Sequence, residues 1–160
     1  MLTIRSRKYF ALSATIVLIT ILLCACGPLT SSSPYPSYGR DTRWIIGDGK
    51  FQILDVNGNT ALGIFPPNSS ANKGMFQMLL ANLTSKNYRA IGNIVYIASK
   101  TDGYAEIDGK TDICRIFQFT NASVKQYYQW PELVNDPSIV YLSSFNDFTS
   151  DEQKVLQSLK

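Results

Sequence analysis

FQILDVNGNTALGIF, Phe51 to Phe65, decides the fold. Two apolar runs flank Asn57-Gly58, and Asn-Gly between such runs signals a hairpin, because the tight primed turn needs positive φ at both central residues. Working outward, RWIIG and KFQILDV meet at Gly47-Asp48-Gly49, so three antiparallel strands are predicted up to Phe65. PPNSSANKG, Pro66 to Gly74, reads as a loop. GMFQMLLANLTSKN admits two periods. Met75, Leu79, Leu80 and Leu83 fit a helical face, whereas Phe76, Met78 and Leu80 alternate as in a strand. Its neighbours lean the reading to strand, and both stay open for residues 75–86.

NYRAI, NIVYIAS, GYAEID and DICRIFQF are four further runs, separated by Gly92-Asn93, Asp102-Gly103 and Asp108-Gly109. In NIVYIAS both alternating sets are apolar, Ile94, Tyr96 and Ala98 against Val95, Ile97 and Ser99, which predicts burial on both faces or a curved sheet. NASVKQYYQW, capped at Asn121 and stopped by Pro131, reads as a short helix. SIVYL is one more strand. Thr149 and Glu152 form a capping box that opens the helix EQKVLQSLK, whose Val155, Leu156 and Leu159 make one face for the sheet. Phe145 and Phe148 are placed to staple it. The expected fold is mainly β (α+β): an antiparallel meander sheet, or a small sandwich or barrel, of about 7–8 strands with one or two C-terminal helices.

The N-terminus has a different texture. MLTIRSRK carries three cations, and Tyr9 to Leu23 then runs without a charge, the n-region and h-region layout of an export signal. As a helix that run rises about 22 Å, short of the roughly 30 Å hydrocarbon core. Extended through Cys26 it rises about 27 Å, which keeps an uncleaved anchor as an alternative. An ordinary cleaved signal is another, since Cys24-Ala25-Cys26 imitates a small-x-small site.

Leu23-Cys24-Ala25-Cys26 resembles the lipobox of bacterial lipoproteins, in which Leu, a small residue and Ala or Gly precede the modified cysteine. Cys24 departs from the pattern, standing where Ala, Ser, Thr or Val is usual, although a free thiol is small and fairly apolar. The resemblance implies cleavage between Ala25 and Cys26, a thioether-linked diacylglycerol on Cys26, and a membrane-lipid partner. It also implies residence on the extracytoplasmic side of the cell membrane, or at an outer membrane if the host has one. Two or three acyl chains on one residue make a stable anchor. The expected organisation is a signal peptide over 1–25, a lipidated cysteine and Ser/Pro-rich tether over 26–41, and a single β-rich domain over 42–160.

Composition removes several functions. The formal charge is +3, yet Arg5, Arg7 and Lys8 supply all of it: from Cys26 onward 12 Lys/Arg balance 12 Asp/Glu. Without a cationic block, nucleic acid is not an expected partner. There is no histidine, and past Cys26 only Cys114 carries a thiol, so His-dependent catalysis, His-ligated zinc and an internal disulfide of the mature chain are excluded. Cys114 in an apolar strand reads as a buried, inert thiol. Asp48, Asp55, Asp102, Glu106, Asp108 and Asp112 are the carboxylates from which an acid/base pair could be drawn, but nearly all sit in turns, where Asp bonds nearby backbone. No catalytic, cofactor-binding or metal-ligating residue is assigned. The densest aromatic cluster, with Tyr127, Tyr128 and Trp130, is a candidate interaction surface, weighed against a place in the core.

FQILDVNGNTALGIF also overlays YAEIDGKTDICRIF, Tyr104 to Phe117, and the segment from Gly92 to Phe117 resembles one blade repeat of quinoprotein-like β-propellers. A closed propeller needs at least four blades of about 40 residues, more than this chain supplies. The expected role is a non-enzymatic module that binds an envelope protein, as immunity, inhibitor or assembly lipoproteins do. The alternatives are a hydrolase using carboxylates alone, or a ligand-binding or structural envelope protein.

Overall fold

The computed structural model describes residues 33–36, 39–68, 75–126 and 130–160. Among them nine strands form two sheets. The first sheet is a meander of β1 (Thr42–Ile46), β2 (Phe51–Val56), β3 (Asn59–Ile64) and β4 (Gln77–Leu83). The second runs β5 (Tyr88–Ile91), β6 (Ile94–Ser99), β7 (Gly103–Asp108), β8 (Ile113–Gln118) and β9 (Ile139–Tyr141). Neither sheet closes into a barrel among the described residues. The Asn57-Gly58 hairpin forms in the expected register, with Val56 opposite Asn59 and both turn residues at positive φ.

One strand departs from the meander. The chain leaves β8, makes a 3-10 turn over Ser123–Gln126 and a short helix over Pro131–Val134, and returns as β9 parallel to β8. About 20 residues of connection are enough for a parallel return, where a tight turn would force an antiparallel one. The single helix expected to stop at Pro131 is replaced by the 3-10 turn and by a helix that Pro131 opens. The reason is that proline's missing N–H is no loss in the first helical turn.

Alternation builds the interior. Phe51 and Ile53 of β2, Leu62 and Ile64 of β3, and Leu79, Leu80 and Leu83 of β4 share one cluster with Val95, Ile97, Ala105, Ile107, Cys114, Ile116 and Ile139 of the second sheet. The two sheets therefore face each other across a common core, and the segment with two competing periods, residues 77–83, is a strand. That ambiguity has a structural cause. Register shifts occur twice where β4 meets β3, so Leu79 and Leu80, adjacent in sequence, both enter the core and imitate helical spacing.

The second sheet is buried on its other face too, as the doubly apolar β6 predicted. Ala98 and Tyr104, with Tyr96 and Phe117 beside them, pack against Phe148, Leu156 and Leu159 of the C-terminal segment. The helix Ser150–Ser158 starts with the expected capping box: Thr149 accepts from Glu152 N–H at 3.4 Å, and the Glu152 carboxylate accepts from Thr149 N–H at 2.7 Å. Cys114 is fully buried, and burial pushes its thiol well above the ordinary range.

Ser33–Pro36 lie inside the Ser/Pro-rich stretch, and they are bonded to the domain. Ser33 Oγ donates to the Asp48 carbonyl, Asn68 N–H donates to the Pro34 carbonyl at 2.6 Å, and Gln52 Nε2 donates to the Pro36 carbonyl at 2.7 Å.

Gly103 opens β7 at φ +141, and a Cβ there would stand 2.0 Å from the Phe117 carbonyl oxygen on the neighbouring strand. Neither atom is free to move without breaking the ladder. Gly103→Ala is expected to cost at least about 2 kcal/mol of unfolding free energy, measured by urea denaturation followed by circular dichroism.

Candidate functional site

Of the six carboxylates singled out in the sequence, Asp48 and Asp112 are brought together by neighbouring turns, and each of the six has partners. Asp48 accepts from Lys50 N–H at 3.1 Å within its turn. Asp55 is paired with Arg43 and accepts from Thr60 Oγ1 at 2.9 Å, and the Arg43 hydrogen bond, followed by that of Thr60, holds its carboxyl below the usual range. Asp108 accepts from Lys110 N–H at 2.8 Å and from Thr111 Oγ1 at 2.9 Å, which lowers it likewise. Asp112 accepts from Asp48 N–H at 3.4 Å, and burial, then the charge of Asp48, raises it.

Asp102 is fully buried, although Asp102-Gly103 reads as an exposed turn. Its Oδ2 accepts from Ala81 N–H at 2.8 Å, and its Oδ1 accepts from Ser123 N–H at 3.0 Å and Ser123 Oγ at 2.7 Å. Ala81 lies in the stretch of β4 where the register with β3 shifts and leaves it without a ladder partner. Asp102 takes its N–H, and Ser99 Oγ donates to its carbonyl at 2.7 Å. The carboxylate thus serves as backbone glue between the two sheets rather than as a reactive group.

Glu106 is the most perturbed carboxylate among the described residues. On the outer face of β7 it meets Arg115 of β8, whose Nη1 donates to Glu106 Oε2 and to Glu152 Oε2, both at 3.1 Å. Arg115 Nη2 also donates to the Asp147 carbonyl at 2.7 Å, and the guanidinium lies 5.2 Å from the centre of the Phe148 ring. One cation therefore holds two carboxylates beneath the start of the C-terminal helix. Burial, then the charge of Glu152, pushes Glu106 up to about 7, against the pull of Arg115. Burial also opposes the charge on Glu152, but the Thr149 N–H and Arg115 hold it below its usual value. Sequence inspection had one usable signal here, a lone arginine in the apolar run DICRIFQF, and none for its partner across 37 residues.

A surface groove of about 420 Å³ lies on the outer face of the first sheet. Leu54, Phe65 and Phe76 form its apolar part, and Arg40, Asp41 and Asp55 lie at its polar rim. The Phe65 and Phe76 rings stand 5.4 Å apart, and Phe76 lies over Gly63, where a Cβ would approach it to 2.9 Å. The two carboxylates at the rim are bonded to Arg40 and Arg43.

Of the aromatic candidate surface, Tyr127 and Tyr128 lie outside the described residues. Trp130 is half-buried against the common core, and its backbone N–H donates to Gln77 Oε1 at 2.9 Å. Ala25 and Cys26 also lie outside the described residues. Among the described residues no helix is long and apolar enough to cross a membrane, and no group of three acidic, cysteine or histidine side chains is placed to hold a metal ion. No protein-family model, curated protein or solved structure matches this chain.

Two measurements follow from these carboxylates. Asp102→Ala leaves the buried Ala81 N–H and the half-buried Ser123 donors without an acceptor and is expected to cost about 3 kcal/mol, whereas Asp108→Ala, in a surface turn, is expected to shift the midpoint of the same denaturation assay much less. Glu106 binds its proton more tightly folded than unfolded. The contribution of Glu106 to stability is therefore greatest below its ordinary value of 4.5, falls as pH rises to about 7, and levels off above. The denaturation midpoint is expected to be higher at pH 5 than at pH 8, by no more than about 3 kcal/mol in free energy, and Glu106→Gln is expected to flatten the difference.

Proposed function

We propose that the chain is the precursor of a bacterial lipoprotein, anchored through acylated Cys26 on the extracytoplasmic side of a membrane, whose β domain is a non-enzymatic module that binds an envelope protein. The observation that carries the anchor is the tetrad Leu23-Cys24-Ala25-Cys26 at the end of an uncharged run behind three cations. Six residues lie between Cys26 and Ser33, the first described residue bonded to the domain, so the lipid lies at most about 25 Å from Ser33. The domain then works close to the membrane surface.

The non-enzymatic part is supported by the use made of the carboxylates. Asp55 and Glu106 are in ion pairs, Asp102 is closed on two backbone donors and the Ser123 hydroxyl, and Asp48 and Asp108 stabilise their own turns. The Glu106–Glu152 pair is the observation that favours a carboxylate hydrolase as the second reading. Arg115 bridges those two groups, and the base of the C-terminal helix stands over them.

Mass spectrometry of the protein purified from bacterial membranes is expected to show Cys26 as the first residue, carrying a diacylglyceryl group. Cys26→Ser is expected to abolish both the acylation and the cleavage. An intact Met1 with no lipid would refute the anchor.

A further inference from the structure

The cross-strand register of the second sheet sets Ile91 opposite Ile94, Ile94 opposite Asp108, and Asp108 opposite Ile113. These residues have the parity of Tyr96, Tyr104 and Phe117, which pack under the C-terminal helix, so the row lies on that outer face. Ile91 is 47% exposed and Ile113 37%. Val140, opposite Arg115 and on the same face, is 43% exposed. Three of the five large apolar side chains exposed among the described residues thus share one face of one sheet. The row runs to the sheet's margin, since β5 is an edge strand.

Among the described residues, no strand pairs with the outer backbone of that edge. Ala98 N–H donates to the Asn87 carbonyl at 2.8 Å, and in an antiparallel ladder this fixes Arg89 and Ile91 as the β5 residues bonded to β6. The N–H and C=O of Tyr88 and Ala90 therefore point away from the sheet. Arg89 stands beside this edge on the outer face, opposite Tyr96, and is exposed. No described carboxylate is ion-paired with it, and its side chain makes a long 3.4 Å contact to Ser158 Oγ.

The charge selects the occupant. A second copy pairing Tyr88 with Ala90 across a two-fold axis would set Arg89 against its own image, and like charges directly opposite destabilise a ladder. A cation at an edge commonly guards against such self-pairing. The same cation favours a foreign strand with a carboxylate at that position. The residue two further along such a strand would face Ile91 and extend the isoleucine row.

We propose that β5 is a docking edge that takes an extended acidic–apolar segment of a partner protein by strand addition, with a carboxylate on Arg89 and an apolar side chain beside Ile91, which Ile94 backs on the next strand. The proposal rests on the protein-binding reading above and gives it a location and a partner chemistry.

The test uses the detergent-solubilised full chain and three synthetic octapeptides: Thr-Glu-Thr-Val repeated twice, the same with Lys for Glu, and the first with Pro in place of two central Thr. Amide hydrogen exchange by NMR is the readout. The Glu peptide is expected to slow exchange at Tyr88 and Ala90 by about tenfold, and the Lys and Pro peptides to leave them unchanged. Arg89→Glu is expected to reverse the preference between Glu and Lys peptides by about fivefold, and Ile91→Ser to weaken binding by about tenfold. Both side chains are exposed, so an unchanged thermal midpoint certifies that the variants fold. Exchange at Tyr88 and Ala90 indifferent to every peptide, or a preference that Arg89→Glu leaves unreversed, overturns the proposal. Acylated Cys26 found beside unprotected Tyr88 and Ala90 would leave the lipoprotein reading standing and remove this edge alone.

Discussion

The carboxylate of Asp102 joins three parts of the chain that are far apart in sequence. It accepts from Ala81 on β4 and from both donors of Ser123, while its own carbonyl accepts from Phe119 N–H at 2.9 Å. A charge buried this deeply is tolerated only when its lone pairs are filled, and here three donors fill them. The bulged β4 needs the same arrangement from the other side, because Ala81 has lost its ladder partner to the register shift. Two liabilities, an unpaired backbone segment and a buried anion, cancel each other and fix how the first sheet sits over the second.

The second sheet then becomes the centre of the domain. Its inner face meets the first sheet, and its outer face carries the C-terminal helix through Phe148, Leu156 and Leu159. Arg115 locks that helix by gripping Glu106 and Glu152 together, which leaves one more negative charge than positive in a half-buried site. Burial of that excess lifts Glu106 toward neutrality. The helix covers only part of the face, so the end bearing Ile91 and Ile113 is exposed, and its margin, β5, is an edge strand among the described residues.

Much of the architecture was legible along the chain because its signals are local. Asn57-Gly58, the apolar alternation of β2, β3 and β6, and the Thr149–Glu152 box each act within a few residues, and each appears in the structure where the sequence puts it. Residues 75–86 resisted a single reading since a bulge shifts strand periodicity toward helical spacing, and Pro131 was read as an ending because proline both stops and starts helices. The candidate chemistry was legible as a list of carboxylates and not as a constellation. Asp102 and its donor Ala81 are 21 residues apart, and Arg115 and Glu152 are 37 apart.

The sequence by itself determined most of the strands and their turns, the neutral charge after Cys26, the absence of histidine chemistry, and the Leu23-Cys24-Ala25-Cys26 tetrad on which the anchor proposal rests. These are properties of composition and near-neighbour spacing, which survive without tertiary contacts. Only the tertiary structure decided which carboxylates are buried, that β9 returns parallel to β8, and that Ile91, Ile94 and Ile113 fall in one row. Those outcomes depend on register and sheet packing, where a shift of one residue turns every side chain to the opposite face.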